Sequence, residues 1–106
     1  MDAVTRSTFD SDVVSASCTQ PVLVDIWGPR CRPCLAMMPF VEELAESQGD
    51  ALRIVKLNSA DDRQLCFDLK VMGLPTFLLY QNGEEMWRLS GDAANMAALR
   101  GKLGIN

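Results

Sequence analysis

The sequence contains no histidine among its 106 residues. Histidine is the usual general base near neutral pH and the commonest metal ligand, so its absence excludes Ser-His and Cys-His nucleophiles and most zinc sites. Any proton transfer must therefore use a carboxylate, a lysine, a thiol or water.

Long apolar runs and basic clusters are also missing. No stretch approaches the ~20 apolar residues that cross a bilayer, and the first residues lack the basic and apolar segments of a secretory signal. Acidic residues outnumber basic ones, 14 to 10, which gives a net charge of −4. We therefore expect a cytoplasmic protein with no membrane association and no nucleic-acid partner.

The remaining composition is that of an ordinary globular protein, with 48% hydrophobic and 23% charged residues. No internal repeat, low-complexity segment or linker interrupts the chain. Its length suits one compact domain, since domains usually have about 100–150 residues. We predict a single domain over residues 1–106.

The apolar patterning predicts an α/β fold with elements in the order βαβαβαββα. Strands are expected over 3–5, 22–27, 52–58, 77–80 and 84–89, and helices over 9–17, 33–47, 62–69 and 92–103. Continuous apolar runs such as 22–27 are typical of strands buried on both faces. Ser7 or Thr8 is expected to cap the first helix and Asp61 the third. Strand–helix–strand units followed by an Asn82-Gly83 hairpin predict a central mixed sheet with helices on both faces.

Of the four cysteines, Cys31 and Cys34 form a Cys-x-x-Cys motif at the end of a predicted buried strand and the start of a helix. Two intervening residues let the sulfurs meet across one helical turn. The free N–H groups and dipole of a helix start favour a thiolate at Cys31, and the thiolate is the attacking species. Cys34, one turn further in, would then resolve the mixed disulfide.

Other uses of these cysteines remain open on the sequence. The motif also occurs in structural disulfides and as half of a zinc site, although Cys18 and Cys66 lie far away in sequence. We expect Cys18 and Cys66 to be plain small hydrophobic residues on helices. The alternative for each is a regulatory or dimerising thiol.

Further motifs occur in order along nearly the whole chain. They are Val24-Asp25-Ile26-Trp27, the Cys-x-Pro-Cys, Pro39, Lys56-Leu57-Asn58, Gly73-Leu74-Pro75-Thr76, Asn82-Gly83-Glu84 and Ser90-Gly91. In these motifs the chain resembles the thioredoxin family from about Ala3 to Leu103. The resemblance implies the thioredoxin fold and a thiol–disulfide oxidoreductase that reduces protein disulfides.

The resemblance also implies roles for individual residues in catalysis. Asp25 matches a buried carboxylate beneath the second cysteine that helps move its proton, and Lys56 matches the lysine paired with it. Trp27 matches a tryptophan packed beside the active site, and Pro33 matches a proline that helps keep the couple reducing; both are assigned to the substrate-binding residues.

Other matching positions are implied to bind the substrate. Pro75 matches a cis-proline that faces the dithiol, and the backbone of Leu74 would pair with the substrate chain. Gly73 and Gly91 match positions that keep the docking surface flat.

The partners implied are a thioredoxin reductase, linked to NADPH or ferredoxin, and protein disulfide substrates. No bound cofactor is expected beyond the redox-active disulfide, and no metal, and the chain is expected to be a monomer. Two alternatives are an adaptor domain with an idle dithiol and a carrier of metal or an iron–sulfur cluster.

The chain departs from the family at Arg30 and Arg32, where the usual residues are tryptophan and glycine. Both arginines are assigned to the rim of the substrate site. Two guanidinium groups beside Cys31 should stabilise the thiolate and hence the reduced form. A partly screened interaction of about 1 kcal/mol would make the couple roughly 20 mV more oxidising.

Overall fold

The computed structural model describes residues 1–105, which form five strands and three α-helices. The strands are β1 (Asp2–Ala3), β2 (Val22–Trp27), β3 (Arg53–Asn58), β4 (Thr76–Gln81) and β5 (Glu84–Ser90). The helices are α1 (Arg32–Gln48), α2 (Arg63–Asp68) and α3 (Met96–Leu103). An N-terminal helical segment precedes β2 and consists of a π-helical stretch, Asp10–Ser15, and a 3-10 turn, Ala16–Cys18. The predicted order of elements is confirmed.

The five strands form one mixed sheet in the order β1-β3-β2-β4-β5. β1 and β2 both pair with β3 in parallel, whereas β4 runs antiparallel to β2 and to β5. β2 therefore lies at the centre, and every residue from Val22 to Ile26 is buried. This position explains the continuous apolar run, because both faces of the strand are covered.

Helices cover both faces of the sheet, as predicted. One core cluster joins alternate β2 residues to the N-terminal helical segment and α2, and includes Val22, Val24, Ile26, Phe9, Val13, Leu65 and Cys66. The other joins the opposite face to α1 and α3, and includes Leu23, Phe77, Leu79, Met37, Val41, Leu44 and Leu99. Side chains alternate between faces along a strand, so Asp25 shares the α1 face with Leu23.

Two predicted boundaries near the N-terminus are wrong. β1 covers Asp2–Ala3, not residues 3–5. Neither Ser7 nor Thr8 caps the helical segment: Phe9 stands at its start with no side-chain hydrogen bond, and Thr8 Oγ1 accepts from the N–H of Thr5 at 2.9 Å. The Thr5 carbonyl accepts from the N–H of Phe9 at 2.9 Å, so Thr8 lies inside the first turn and its hydroxyl reaches back to Thr5, as the second side chain of a capping box does.

Two later helix starts also differ from prediction. α2 begins at Arg63 with Asp62, not Asp61, at the cap position. α3 begins at Met96, because Asn95 Oδ1 accepts from the N–H of Ala98 at 2.9 Å, and the expected first turn is a separate 3-10 turn over Gly91–Ala93. Asp62 makes no side-chain cap hydrogen bond, so of these two helices only α3 is capped at its start by a side chain.

The β4–β5 hairpin turns at Asn82 and Gly83, whose φ angles of 53° and 83° match the predicted tight turn. Ser17 ties this turn to the N-terminal helical segment. Its carbonyl accepts from the N–H of Asn82 and its Oγ from the N–H of Gly83, both at 2.8 Å. The buried hydroxyl in turn donates to the carbonyl of Val14 at 2.6 Å.

Ser17→Ala should lower the free energy of unfolding by about 1–3 kcal/mol, because it leaves the N–H of Gly83 without its buried acceptor. Urea denaturation measures the change. The matched control is Ser11→Ala in the same segment, where an exposed hydroxyl donates to the carbonyl of Thr8. Equal effects of the two substitutions would show that the Ser17 hydroxyl does not join the segment to the hairpin.

Candidate active site

Cys31 occupies the cap position at the start of α1. Its Sγ accepts a hydrogen bond from the backbone N–H of Cys34 at 3.2 Å, and its carbonyl accepts the first helical bond from Leu35 at 3.1 Å. Pro33 lies in the first turn, where the N–H that proline lacks has no helical partner anyway. The Cys31 sulfur thus lies where a helix start favours negative charge.

A disulfide joins Cys31 to Cys34, whose Cα atoms are 5.2 Å apart. The two sulfurs differ in access, because Cys34 is only 2% exposed and Cys31 is partly exposed. Cys34 begins the buried stripe of α1 that continues through Met37 and Val41. An incoming thiol or disulfide therefore reaches Cys31 first.

Asp25 is a carboxylate in the centre of the sheet, 2% exposed. Burial raises its pKa from the usual 3.8 to about 7, against the opposing effect of the Lys56 ammonium. It lies on the face that packs against α1, the helix whose first buried residue is Cys34. A carboxyl group with such a pKa can both accept and release a proton near neutral pH.

Lys56 is directly opposite Asp25 in the parallel pairing of β2 with β3. Directly paired residues point to the same face of a sheet, and the Lys56 charge acts on Asp25 in the expected direction. Lys56 is half-buried, unlike the fully buried Asp25. The structure therefore brings this predicted pair together.

Trp27 ends β2 opposite Asn58, four residues before Cys31. Its ring is partly buried, and its Nε1 is buried with no hydrogen-bond partner among residues 1–105. Trp27 therefore borders the active-site turn through its position in the sheet and not through a hydrogen bond.

The loop before β4 lies beside the active-site turn, as expected from the motif. The Leu74–Pro75 bond is cis, and the Pro75 carbonyl accepts from the N–H of Gly91 at 2.9 Å. A Cβ on Gly28 would be 3.0 Å from Leu74 Cδ1 and 3.2 Å from Ser59 Oγ, so the lack of a side chain at Gly28 lets Leu74 pack against the active-site turn.

An open groove of about 830 Å³ runs from the nucleophile to α2. Four of the predicted site residues line this groove: Arg30, Cys31, Gly73 and Leu74. The other predicted substrate residues lie outside it: Trp27, Arg32, Pro33, Pro75 and Gly91. Arg32 and Pro33 form the exposed first turn of α1 instead.

Sequence reasoning missed Arg63 and Phe67, which line the α2 side of the groove. Both are exposed, whereas Leu65 and Cys66 on the same short helix are buried. The available signal was the spacing of four residues, which places Arg63 and Phe67 on one helix face.

The other two cysteines are not part of the disulfide. Both lie in helical segments, as predicted. Cys66 is buried, and its pKa is raised first by burial and then by the nearby Asp62 carboxylate. Cys18, at the end of the N-terminal helical segment, is exposed and does not belong to the core.

Comparison with known proteins agrees with this geometry. Residues 1–103 match the family model for thioredoxin. The chain belongs to the thioredoxin family. A thioredoxin from Acetoanaerobium sticklandii is 36% identical over 97 residues, which cover 89% of this chain and 90% of the relative. One from Mycolicibacterium smegmatis is 36% identical over 100 residues, covering 92% and 88%.

A bifunctional thioredoxin reductase/thioredoxin from Mycobacterium leprae is 35% identical over 97 residues. The matching part covers 92% of this chain but only 21% of that longer protein. Thioredoxin family membership and the Cys31–Cys34 disulfide make the chain a thiol–disulfide oxidoreductase of the protein-disulfide reductase or redox-carrier type.

Residues 1–105 lack both a metal-binding cluster and a membrane-spanning helix. These residues hold no group of three histidine, cysteine or acidic side chains able to bind a metal ion. None of the helices in this part of the chain combines the length and the apolarity that membrane spanning requires.

Asp25→Asn should stabilise the oxidised protein more at pH 8 than at pH 4. The folded wild type keeps the Asp25 proton up to about pH 7, whereas the unfolded chain loses it near pH 3.8, so unfolding releases a proton and stability falls with rising pH across that window. At 1.36 kcal/mol per pH unit, the variant should gain up to ~4 kcal/mol relative to wild type.

The measurement is the free energy of unfolding of both proteins in urea from pH 4 to pH 8. Asp61→Asn, which removes an exposed carboxylate instead of a buried one, is the matched control. A difference between Asp25→Asn and wild type that is independent of pH would contradict the assignment of a raised pKa to Asp25.

Proposed function

We propose that the chain reduces protein disulfides with Cys31 as the nucleophile and Cys34 as the resolving thiol. The single observation that carries this assignment is the position of Cys31 Sγ at the cap of α1, 3.2 Å from the N–H of Cys34. The same N–H and the helix dipole favour a thiolate at Cys31 once the disulfide is reduced. The greater exposure of Cys31 supports the same order of events.

The exchange moves two electrons from the dithiol to the substrate. The Cys31 thiolate attacks one sulfur of the substrate disulfide, the substrate S–S bond breaks, and one substrate thiolate leaves. Cys34 then loses its proton and attacks Cys31 Sγ. The mixed disulfide breaks, the Cys31–Cys34 disulfide forms, and the second substrate thiol is released.

Asp25 is proposed to accept the Cys34 proton in the second step. It is buried on the sheet face that α1 covers, and its pKa of about 7 suits transfer in both directions near neutral pH. Lys56, paired opposite Asp25, is a positioning residue that limits how far burial raises that pKa.

The substrate chain is proposed to lie across the loop that contains Gly73, Leu74 and Pro75. Leu74 lines the groove next to Cys31, and Pro75 is held by the backbone bond from Gly91. Trp27 supports the active-site turn from the end of β2, and the first turn of α1, with Arg32 and Pro33, forms the opposite rim.

A thioredoxin reductase, drawing on NADPH or ferredoxin, is proposed to return two electrons to the Cys31–Cys34 disulfide. The relative that joins a reductase to a thioredoxin supports this partner class. We further propose a monomer that forms a single domain and acts in the cytoplasm, where Cys18 and Cys66 would stay as the free thiols that the structure contains.

Reduction of insulin disulfides by dithiothreitol tests the assignment. The wild type should accelerate the reaction, and both Cys31→Ser and Cys34→Ser should fall to the uncatalysed rate. Cys18→Ser changes an exposed thiol outside the disulfide and should keep the wild-type rate.

The two serine variants also separate the roles. Reduced Cys34→Ser should accumulate a mixed disulfide with insulin through Cys31, visible on a non-reducing gel, because no second thiol resolves it. Cys31→Ser should accumulate none. A mixed disulfide trapped by Cys31→Ser but not by Cys34→Ser would reverse the proposed roles.

A further inference from the structure

Arginines in this chain divide into those with partners and those without. Arg6, Arg53 and Arg88 pair with carboxylates at 3.3, 3.4 and 2.7 Å, and Arg100 also has a partner. Within residues 1–105, Arg30, Arg32 and Arg63 have neither an ion pair nor a side-chain hydrogen bond.

All three unpartnered arginines lie around the nucleophile. Arg30 and Arg32 flank Cys31 in sequence, and Arg30 and Arg63 line the groove that begins there. Arg63 stands in the first turn of α2, where a cation opposes the helix dipole, so it does not stabilise its own helix. Among the residues that line the groove, none is acidic.

The same groove carries exposed apolar side chains. Phe67 is 76% exposed and Met72 is 94% exposed, and both line it. Exposed aromatic and methionine side chains beside unpaired arginines are a typical composition of a protein-binding surface.

We propose that the groove binds an acidic segment of the protein substrate, with carboxylates beside the disulfide and an apolar side chain against Phe67 and Met72. This inference rests on the proposed function, and the electron transfer is the exchange described above. The chain as a whole has a net charge of −4, so it repels polyanions at long range. Recognition must therefore be local, through arginines that form no ion pair with a carboxylate among residues 1–105.

A protein segment fits the groove better than a small acidic disulfide. Carboxylates alone would satisfy the arginines, but they leave Phe67 and Met72 without an apolar partner. A substrate chain that passes Cys31 and continues toward α2 meets both the charged and the apolar side chains.

The test uses three disulfide-bonded peptides that differ only in the residues flanking the cystine, which are glutamate, glutamine or lysine, each with a leucine further along. Single-turnover reduction by the dithiol form is measured at ~0.1 M and ~1 M salt, where the Debye length is about 10 and 3 Å. At the lower salt the glutamate peptide should react at least about twofold faster than the glutamine peptide, the lysine peptide should be slowest, and the ratios should approach one at the higher salt.

Two charge variants locate the effect. Arg63→Glu should reduce the preference for glutamate over lysine peptides by about two- to fivefold or more, because it replaces an attraction with a repulsion. Arg53→Gln is the control: Arg53 starts β3, at the end of the sheet away from Cys31, and should leave the preference unchanged.

A glutamate-to-glutamine ratio below twofold at low salt, or an equal effect of the two variants, would overturn the inference. If the reduction of glutathione disulfide depended on Arg63 to the same extent, the groove would be assigned to small acidic disulfides. That result would also overturn the inference. Failure of the proposed function would look different, because even the glutamine peptide would then be reduced no faster than without protein.

Discussion

The backbone N–H of Cys34 points at the sulfur of Cys31, and the chemistry of the chain depends on this contact. It exists because β2 ends at Trp27, a short turn follows, and α1 begins with Cys31 at its cap position. A helix start leaves N–H groups without helical partners, so a sulfur placed there is stabilised as an anion. The central sheet holds the turn in place, because β2 is paired on both sides and buried along its length.

The burial of Asp25 lowers the stability of the folded protein at neutral pH. A carboxylate at the centre of a buried strand opposes folding at neutral pH, and nothing in the packing of Val24 or Ile26 requires it. Asp25 lies on the α1 face, opposite Lys56. Its pKa of about 7 suits the transfer of a thiol proton near neutral pH. Local stability is therefore lower where the proposed proton transfer takes place, which is common at functional sites.

Features set by local sequence could be predicted, and features set by tertiary contacts could not. The strand at 22–27, the hairpin at Asn82-Gly83 and the placement of Cys31 and Cys34 follow from apolar runs, turn residues and motif spacing. The exposure of Cys18 and the groove side chains Arg63 and Phe67 depend on how distant segments pack. The cap by Asn95 is a local contact with the N–H of Ala98, but several polar residues near this helix start could have filled that position. Motif matching finds only the residues that the motifs contain, and Arg63 and Phe67 lie outside all of them.

The rate at which iodoacetamide alkylates Cys31 in the reduced protein tests the central claim most directly. At pH 7 the account predicts that Cys31 reacts faster in the folded protein than the same cysteine does in an unstructured peptide containing residues 29–35. Only the folded protein places this sulfur at a helix start. The Cys34→Ser protein should show the same advantage, because the backbone N–H remains. Equal rates for the folded protein and the peptide would contradict the claim that the start of α1 stabilises the Cys31 thiolate.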